Sequence, residues 1–434
     1  GITKLGLAKR GFIMFSVLSN SWALLLGMML LMLGNGLQGT LLGVRGEIEG
    51  FSTFEMSLVM SAYFIGFLGG SRLAPDMIRR VGHVRVFAAL GSLISAVLIL
   101  YPALANAEAW MVGRIIIGFC FSGVYVTAES WLNNSATNET RGQALSLYMI
   151  VQMIGIVAAQ GVLVLGDPSG YTLFIIPSVL VSVAFAPILL SITPTPAFDT
   201  TKPMTLGQLY KVSPLGVVGM FLLGGVFSAQ FGMAAVYGGK TGLSLGQISL
   251  FVSAFYVGAL VMQYPLGFFS DRMDRRVLIL LAALMGGIAA LIAIFFGSDF
   301  NFLLAAAFVI GGTSNPLYSL FLAYTNDFLE HEDMAAASGG MVFINGLGAI
   351  SGPIITGWLM TNLGAGAFFG VIAALMLAIS AYATFRMTQR AAPSVDETAG
   401  FQAIMPSASP VFVEVAQEIA IENAIEEQLD ELSP

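Results

Sequence analysis

Arg114, Gly118, Ser122, Tyr125 and Glu129 follow one another at steps of four, four, three and four, so on a helix they form one continuous stripe. The guanidinium at one end suits a carboxylate or phosphate, because its planar fork donates two parallel bonds. The carboxylate at the other end suits either an ion pair with a nearby arginine or the carriage of a proton. Other polar groups recur at helical spacing. Asn35, Gln38 and Arg45 share one face, as do Gln230 and Tyr237, and Asn315 and Tyr318; Tyr148 pairs with Gln152, Tyr256 with Gln263, and Asn345 stands alone. All are embedded in apolar sequence, where polar groups are costly and face a bundle interior or a water-filled cavity. The amides Gln38, Gln152, Gln230, Asn315 and Asn345 therefore either line a binding cavity or bond helix to helix. Arg45 either faces that cavity or pairs with Glu47, and Arg114 either meets an anion or anchors helix packing.

The elements that carry these residues are long and apolar. The chain is 57% hydrophobic and only 10% charged, with mean hydropathy +0.85. A soluble domain carries about 25% charged residues, so the principal solvent here is lipid. Runs of about 20 apolar residues read as membrane helices. Twelve occur, at roughly 20–43, 56–73, 84–104, 110–131, 142–165, 171–192, 214–238, 247–269, 277–297, 301–326, 335–360 and 364–386. Residues 38–80 overlay residues 230–272 at a constant offset of 192, with Gln38 on Gln230, Gly46 on Gly238, Gly50 on Gly242, Ser52 on Ser244, Gly66 on Gly258 and Arg80 on Arg272. The repeat predicts two parallel six-helix halves related by an axis along the membrane normal. It divides the chain into an N-terminal bundle over 1–192, a linker over 193–213, a C-terminal bundle over 214–390 and a tail over 391–434.

Lys and Arg set the expected orientation. With the N-terminus cytoplasmic, fifteen fall on inner segments and only Arg45, Arg114 and Lys240 on outer ones, which predicts both termini in the cytoplasm and an inner-membrane, multi-pass protein. No cleavable signal peptide is evident. The net charge of −7 belongs to the tail, which holds nine acids and no Lys or Arg; the remainder has 18 basic and 16 acidic residues. Residues 391–410 read as a Pro/Ala/Ser linker. Residues 411–432 read either as disordered or as an acidic helix with Ile421, Ile425, Leu429 and Leu432 on one face, a candidate site for a protein partner or for docking on the chain itself. A single cysteine, Cys120, excludes an intramolecular disulfide.

After the eighth span come Gly267, Asp271, Arg272, Asp274, Arg275 and Arg276. They resemble the major facilitator superfamily signature Gly-x-x-x-Asp-Arg/Lys-x-Gly-Arg-Arg/Lys, with Asp274 where Gly is usual. The first half departs from it: Arg79 occupies the place of Asp271, and the nearest acid is Asp76, one helical turn earlier, followed by Arg80. Arg114 and Gly118 resemble the Arg-x-x-x-Gly of the family's fourth span. Ala128 to Asn133, then Asn138 to Gly142, are similar to the YcaD-like branch of bacterial transporters.

The resemblance covers residues 16–390. It implies an all-α fold in which the first, fourth, seventh and tenth spans surround a central cavity, here Asn35, Gln38, Arg45, Arg114, Tyr125, Gln152, Gln230, Tyr237, Gln263, Asn315, Tyr318 and Asn345. It also implies a cytoplasmic gate of Asp76, Arg80, Glu129, Arg141, Gly267, Asp271, Arg272, Arg275 and Arg276, with Glu129 paired to Arg80 or Arg141. The expected activity is secondary or facilitated transport by alternating access. The two outer arginines favour a small organic anion. Alternatives are efflux of lipophilic compounds by proton antiport and a non-transport role in pigment or lipid handling or in assembly. Coupling to a proton or counter-ion stays open. An enzyme is not expected: His83 and His331 fall in predicted loops, with no convincing metal cluster or nucleophile. The reading includes no cofactor and no nucleic acid, a monomer, a lipid bilayer and a small-molecule substrate as partners.

Overall fold

The computed structural model describes residues 2–137, 139–191, 204–398 and 400–432. Its helices are α1 (Ile2–Ile48), α2 (Thr53–Val81), α3 (His83–Ala103), α4 (Ala107–Ser135), α5 (Arg141–Leu163), α6 (Thr172–Ser191), α7 (Leu206–Val212), α8 (Pro214–Lys240), α9 (Leu245–Ser270), α10 (Arg275–Phe296), α11 (Phe300–Asn326), α12 (Met334–Leu363), α13 (Ala367–Met387) and α14 (Pro410–Leu432). Among the described residues, twelve helices are long and apolar enough to cross a membrane. In α1 that stretch begins at Ser21, where the backbone leaves helical geometry (φ −125°, ψ 17°). Exposed Leu93, Val112, Ile154, Val179, Phe295 and Trp358 suit a lipid-facing surface.

The repeat has a local physical cause. Gly50 and Gly242 both have φ +78°, a region that disfavours any side chain with a Cβ. Two residues on, Ser52 and Ser244 cap α2 and α9. Each accepts from the backbone N–H three residues later, and the side chains of Glu55 and Gln247 return the bond. The same corner is thus built twice.

Packing is doubled too. α2 lies on α4 as α9 lies on α11, α1 on α5 as α8 on α12, and α3 on α6 as α10 on α13. The first of these crossings has no room for a side chain. A Cβ on Gly66 would strike the carbonyl of Ile115, and one on Gly258 that of Phe308; Gly118 and Gly311 sit likewise against Tyr63 and Phe255. Small residues of this kind let membrane helices approach closely. Gly66→Ala is expected to destabilise the fold by about 1–3 kcal/mol, because the obstacle is backbone. Gly161→Ala, where nothing lies within 4 Å, should not; thermal unfolding in detergent compares the two.

Between the halves, α2 meets α12 and α8, α5 meets α9, and α1 meets α8. The span of α1 starts on one face, which also carries the tail, and ends on the opposite face. On that opposite face the halves are shut. Gly43 packs on Ala235, Gly357 on Ser57, the Ser61 hydroxyl donates to the Ile350 carbonyl, Ser249 donates to that of Gln160, and Lys240 pairs with Glu47 at 3.0 Å.

Three expectations change. Of the expected linker, 193–213, residues 193–203 lie outside the described residues, but from 204 the chain is not a plain linker. Thr205 and Gln208 form a capping box that starts α7, whose Leu209 is buried against Gly340. His83 is buried at the start of α3, not in a loop. Of its two expected readings the tail takes the helical one, as α14, but packs by another face: it buries Phe412, Val413, Val415, Ala416, Ile419 and Ala420, whereas on the expected face Ile421 is half-buried and Ile425 and Leu429 are exposed. The side chain of Leu432 lies outside the description.

Candidate functional site

A cavity of about 220 Å³ lies between the halves, reached by side chains of α1, α2, α4, α5, α8, α9, α11 and α12. On its first-half wall one hydrogen-bond chain runs in a single direction. Arg114 Nη1 donates to Gln38 Oε1 at 3.2 Å, Gln38 Nε2 donates to Asn35 Oδ1 at 3.1 Å, and Asn35 Nδ2 donates to the hydroxyls of Tyr63 and Tyr125, both at 3.1 Å. A guanidinium only donates, so it fixes which way each amide points.

Arg114 is 4% exposed, and it is the one charged residue on the wall among the described residues. Its other neighbours are neutral: the carbonyl of Val59 at 3.4 Å, the sulfur of Met60 at 3.6 Å and the ring of Tyr63, 4.6 Å below the guanidinium carbon. None supplies a negative charge.

The second-half wall is aromatic and amide-bearing. Phe231 stacks on Tyr256 with centroids 4.6 Å apart, beside Phe227. Asn315 Nδ2 is used on the Gly311 carbonyl of its own helix, and Asn345 Nδ2 on the Met220 carbonyl across from it. The buried Gln263 Oε1 has no protein partner.

The structure therefore brings Asn35, Gln38, Arg114, Tyr125, Gln263, Asn315 and Asn345 to the cavity wall. It places the other expected residues elsewhere. Arg45 bonds Glu49 at 2.8 Å, not Glu47, and reaches the carbonyls of Pro168 and Gly170, tying down the loop before α6. Seven residues beyond Gln38 is about 10 Å further along the helix, past the cavity. Tyr237 is packed among Phe251, Phe368 and Phe369. Gln230 accepts from Ser314, Gln152 is buried beside Tyr148, and Tyr318 is buried against Phe227. Helical spacing selects a face, and these faces meet other helices. Tyr63, in contrast, belongs to the site and was not anticipated. It is the only tyrosine of α2, and its repeat position holds Phe255, so the duplicated pattern did not mark it.

On the tail face the residues expected to form a gate are unequally paired in the two halves. In the second half, Arg275 donates to both oxygens of Asp327 at 2.7 Å, to Ser270 at 3.0 Å and to Asp271 at 3.5 Å, with the Arg275 and Asp327 side chains each 2% exposed. Asp327 is a further residue missed from sequence; at the offset of 193 that relates Gly118 to Gly311, Asn134 stands at its repeat position. Asp274, in the place of the usual Gly, caps α10 by accepting from the Arg276 amide and also pairs with the Arg276 guanidinium at 3.0 Å. Arg272 folds back over Phe268. Gly267 leaves space that Phe401 fills.

In the first half, Asp76 pairs with exposed Arg79, and Arg80 is exposed. Glu129, expected to pair with Arg80 or Arg141, bonds neither. It accepts from the Tyr148 hydroxyl and from the backbone amide of Ser409 in the tail, both at 3.0 Å. Arg141 faces Glu418 of the tail at 3.7 Å. Within α14, burial and then the Glu418 charge push the Glu414 carboxyl above its ordinary value. Asn138 of the expected motif lies outside the described residues.

Comparison with known proteins agrees with this architecture. The model of the Major Facilitator Superfamily matches residues 24–242 and 216–418. A protein of Salmonella heidelberg (strain SL476) described as an uncharacterized MFS-type transporter YcaD is 24% identical over 359 residues, covering 81% of this chain and 92% of its own. The crystal structure of the nucleoside transporter NupG superposes with TM-score 0.69 at 15% identity, over 85% of this chain and 98% of that one. That of a D-xylose-proton symporter gives 0.67 at 13% identity, over 84% and 96%. At those identities the likeness is one of fold.

Proposed function

The chain belongs to the major facilitator superfamily, and from that premise we propose that it carries a small organic anion across the cytoplasmic membrane by alternating access. The observation that carries the anion is Arg114. It is buried on the cavity wall with no carboxylate among its contacts. Burying an unpaired cation is costly, and a carboxylate or phosphate entering the cavity would compensate it. The hydrogen-bond chain behind Arg114 holds its fork in place. The Phe227, Phe231 and Tyr256 wall would receive the apolar body, and Asn315, Asn345 and Gln263 would set its orientation.

The sealed opposite face and the cavity toward the tail face support an inward-facing arrangement, with the tail face in the cytoplasm as the Lys and Arg distribution predicts. The described cavity lining holds no carboxylate, which favours exchange or facilitated diffusion over a cavity acid that carries protons. It also disfavours lipophilic cations, which would meet Arg114. The amide-rich wall favours a second reading, a neutral hydroxylated or nucleoside-like substrate.

Counterflow in proteoliposomes separates them. Small carboxylates or phosphate esters inside should accelerate uptake of a labelled anion, while nucleosides, pentoses and lipophilic cations should not. Exchange of neutral or cationic compounds without any anion would overturn the anion reading.

A further inference from the structure

We infer that residues 401–420 of this chain form a plug whose docking site is the tail-face mouth of the cavity, and that its seating inhibits transport. The inference rests on the reading of that cavity as the transport path.

Depth is the first argument. Met405, Pro406 and Ser407 do not lie over the mouth; they form part of the cavity wall together with Tyr125, Asn315 and Asn345. A molecule leaving toward the tail face must displace them.

Complementarity is the second. Ile404 is 2% exposed and Val413 fully buried, with Phe412 against Tyr148 of α5. Several polar groups of the segment are matched. Ser319 of α11 accepts from the Ile404 amide at 2.9 Å and faces its carbonyl at 3.3 Å; Ser338 of α12 donates to Gln417 at 2.8 Å; Asp271 accepts from the Phe401 amide at 2.7 Å. On the other side, Glu129 of α4 accepts from the Ser409 amide. These are specific bonds at the depth of the helices, unlike the loose surface contacts of a stray terminus.

Bridging is the third. The partners in α4 and α5 belong to one half, and those in α9, α11 and α12 to the other. Alternating access requires the halves to move against each other on this face. A segment bonded to both holds them at the separation seen here, and it forms part of the cavity wall on the face that is not shut. Release of the plug would leave Glu129 with Tyr148 as its one remaining donor among these bonds, so Glu129 acts as a latch that reports whether the tail is seated.

The test needs no substrate. Met149→Cys puts a thiol on the cavity wall, against a background in which the single native thiol, Cys120, is buried. Its labelling by a water-soluble maleimide is timed in the purified protein with the full chain, with residues 401–434 deleted, and with Phe412→Glu plus Val413→Glu in the full chain. Labelling is expected to be about tenfold faster in the last two. If one of them elutes as an aggregate, the other decides. Equal labelling rates in a folded variant would overturn the plug. Because the readout is accessibility, the seating stands or falls separately from the substrate class; faster labelling with no gain in counterflow would overturn inhibition of transport by the seated plug.

Discussion

Arg114→Met is expected to weaken the apparent affinity for the transported anion by about ten- to a hundredfold, the value of a hydrogen-bonded charge contact of about 1.5–3 kcal/mol. The same substitution should leave the ligand-free protein as stable as before, or more so. In the empty cavity the guanidinium is buried among Gln38, Met60, Val59 and Tyr63 with no counter-charge, and relief of that unpaired buried charge offsets the loss of the donor to Gln38. A structural arginine behaves in the opposite way, losing stability when removed. Arg114→Lys should fall between, since it keeps the charge but not the fork that orders Gln38 and Asn35. The measurements are concentration dependence of counterflow and thermal unfolding in detergent. Unchanged affinity in a folded Arg114→Met protein would remove Arg114 from the binding site.

Asp327→Asn should have the largest effect on stability, a loss of about 3–5 kcal/mol. The pair it breaks is buried on both sides, and a second acid beside Arg275, Asp271, is 40% exposed and stands at 3.5 Å. Asp76→Asn breaks an ion pair in the other half whose side chains are 41% and 57% exposed, and exposed pairs contribute about 0–1 kcal/mol. Thermal unfolding of the two variants side by side therefore asks whether the gate charges carry energy in one half or in both. Similar losses would refute the asymmetric gate.

The scaffold was legible in the sequence because its causes are local. Hydropathy marks the spans, and the Gly50/Gly242 and Ser52/Ser244 corners recur because each needs the same positive φ and the same cap. Part of the cavity wall was legible for a related reason: Asn35, Gln38 and Arg114 are polar where apolar residues would be cheaper. What spacing does not hold is depth along a helix and the identity of the facing neighbour. Arg45 shares a face with Gln38 yet lies about two turns beyond it. Tyr63 could be read as ordinary packing, and Asp327 as one loop acid among several. The tail was least legible. It packs on walls contributed by helices 79 to 280 residues earlier, and on the face that looked amphipathic Ile425 and Leu429 are left exposed.

The tail is also joined to the body it contacts. The chain leaves α13 at Met387 and meets the mouth at Phe401, so the seated and unseated states differ by an intramolecular step. Short tethers hold a segment at an effective concentration of the order of millimolar. A sequence of very weak intrinsic affinity can then spend most of its time seated and still leave quickly. The contacts described here need to be selective for the mouth; they do not need to be strong.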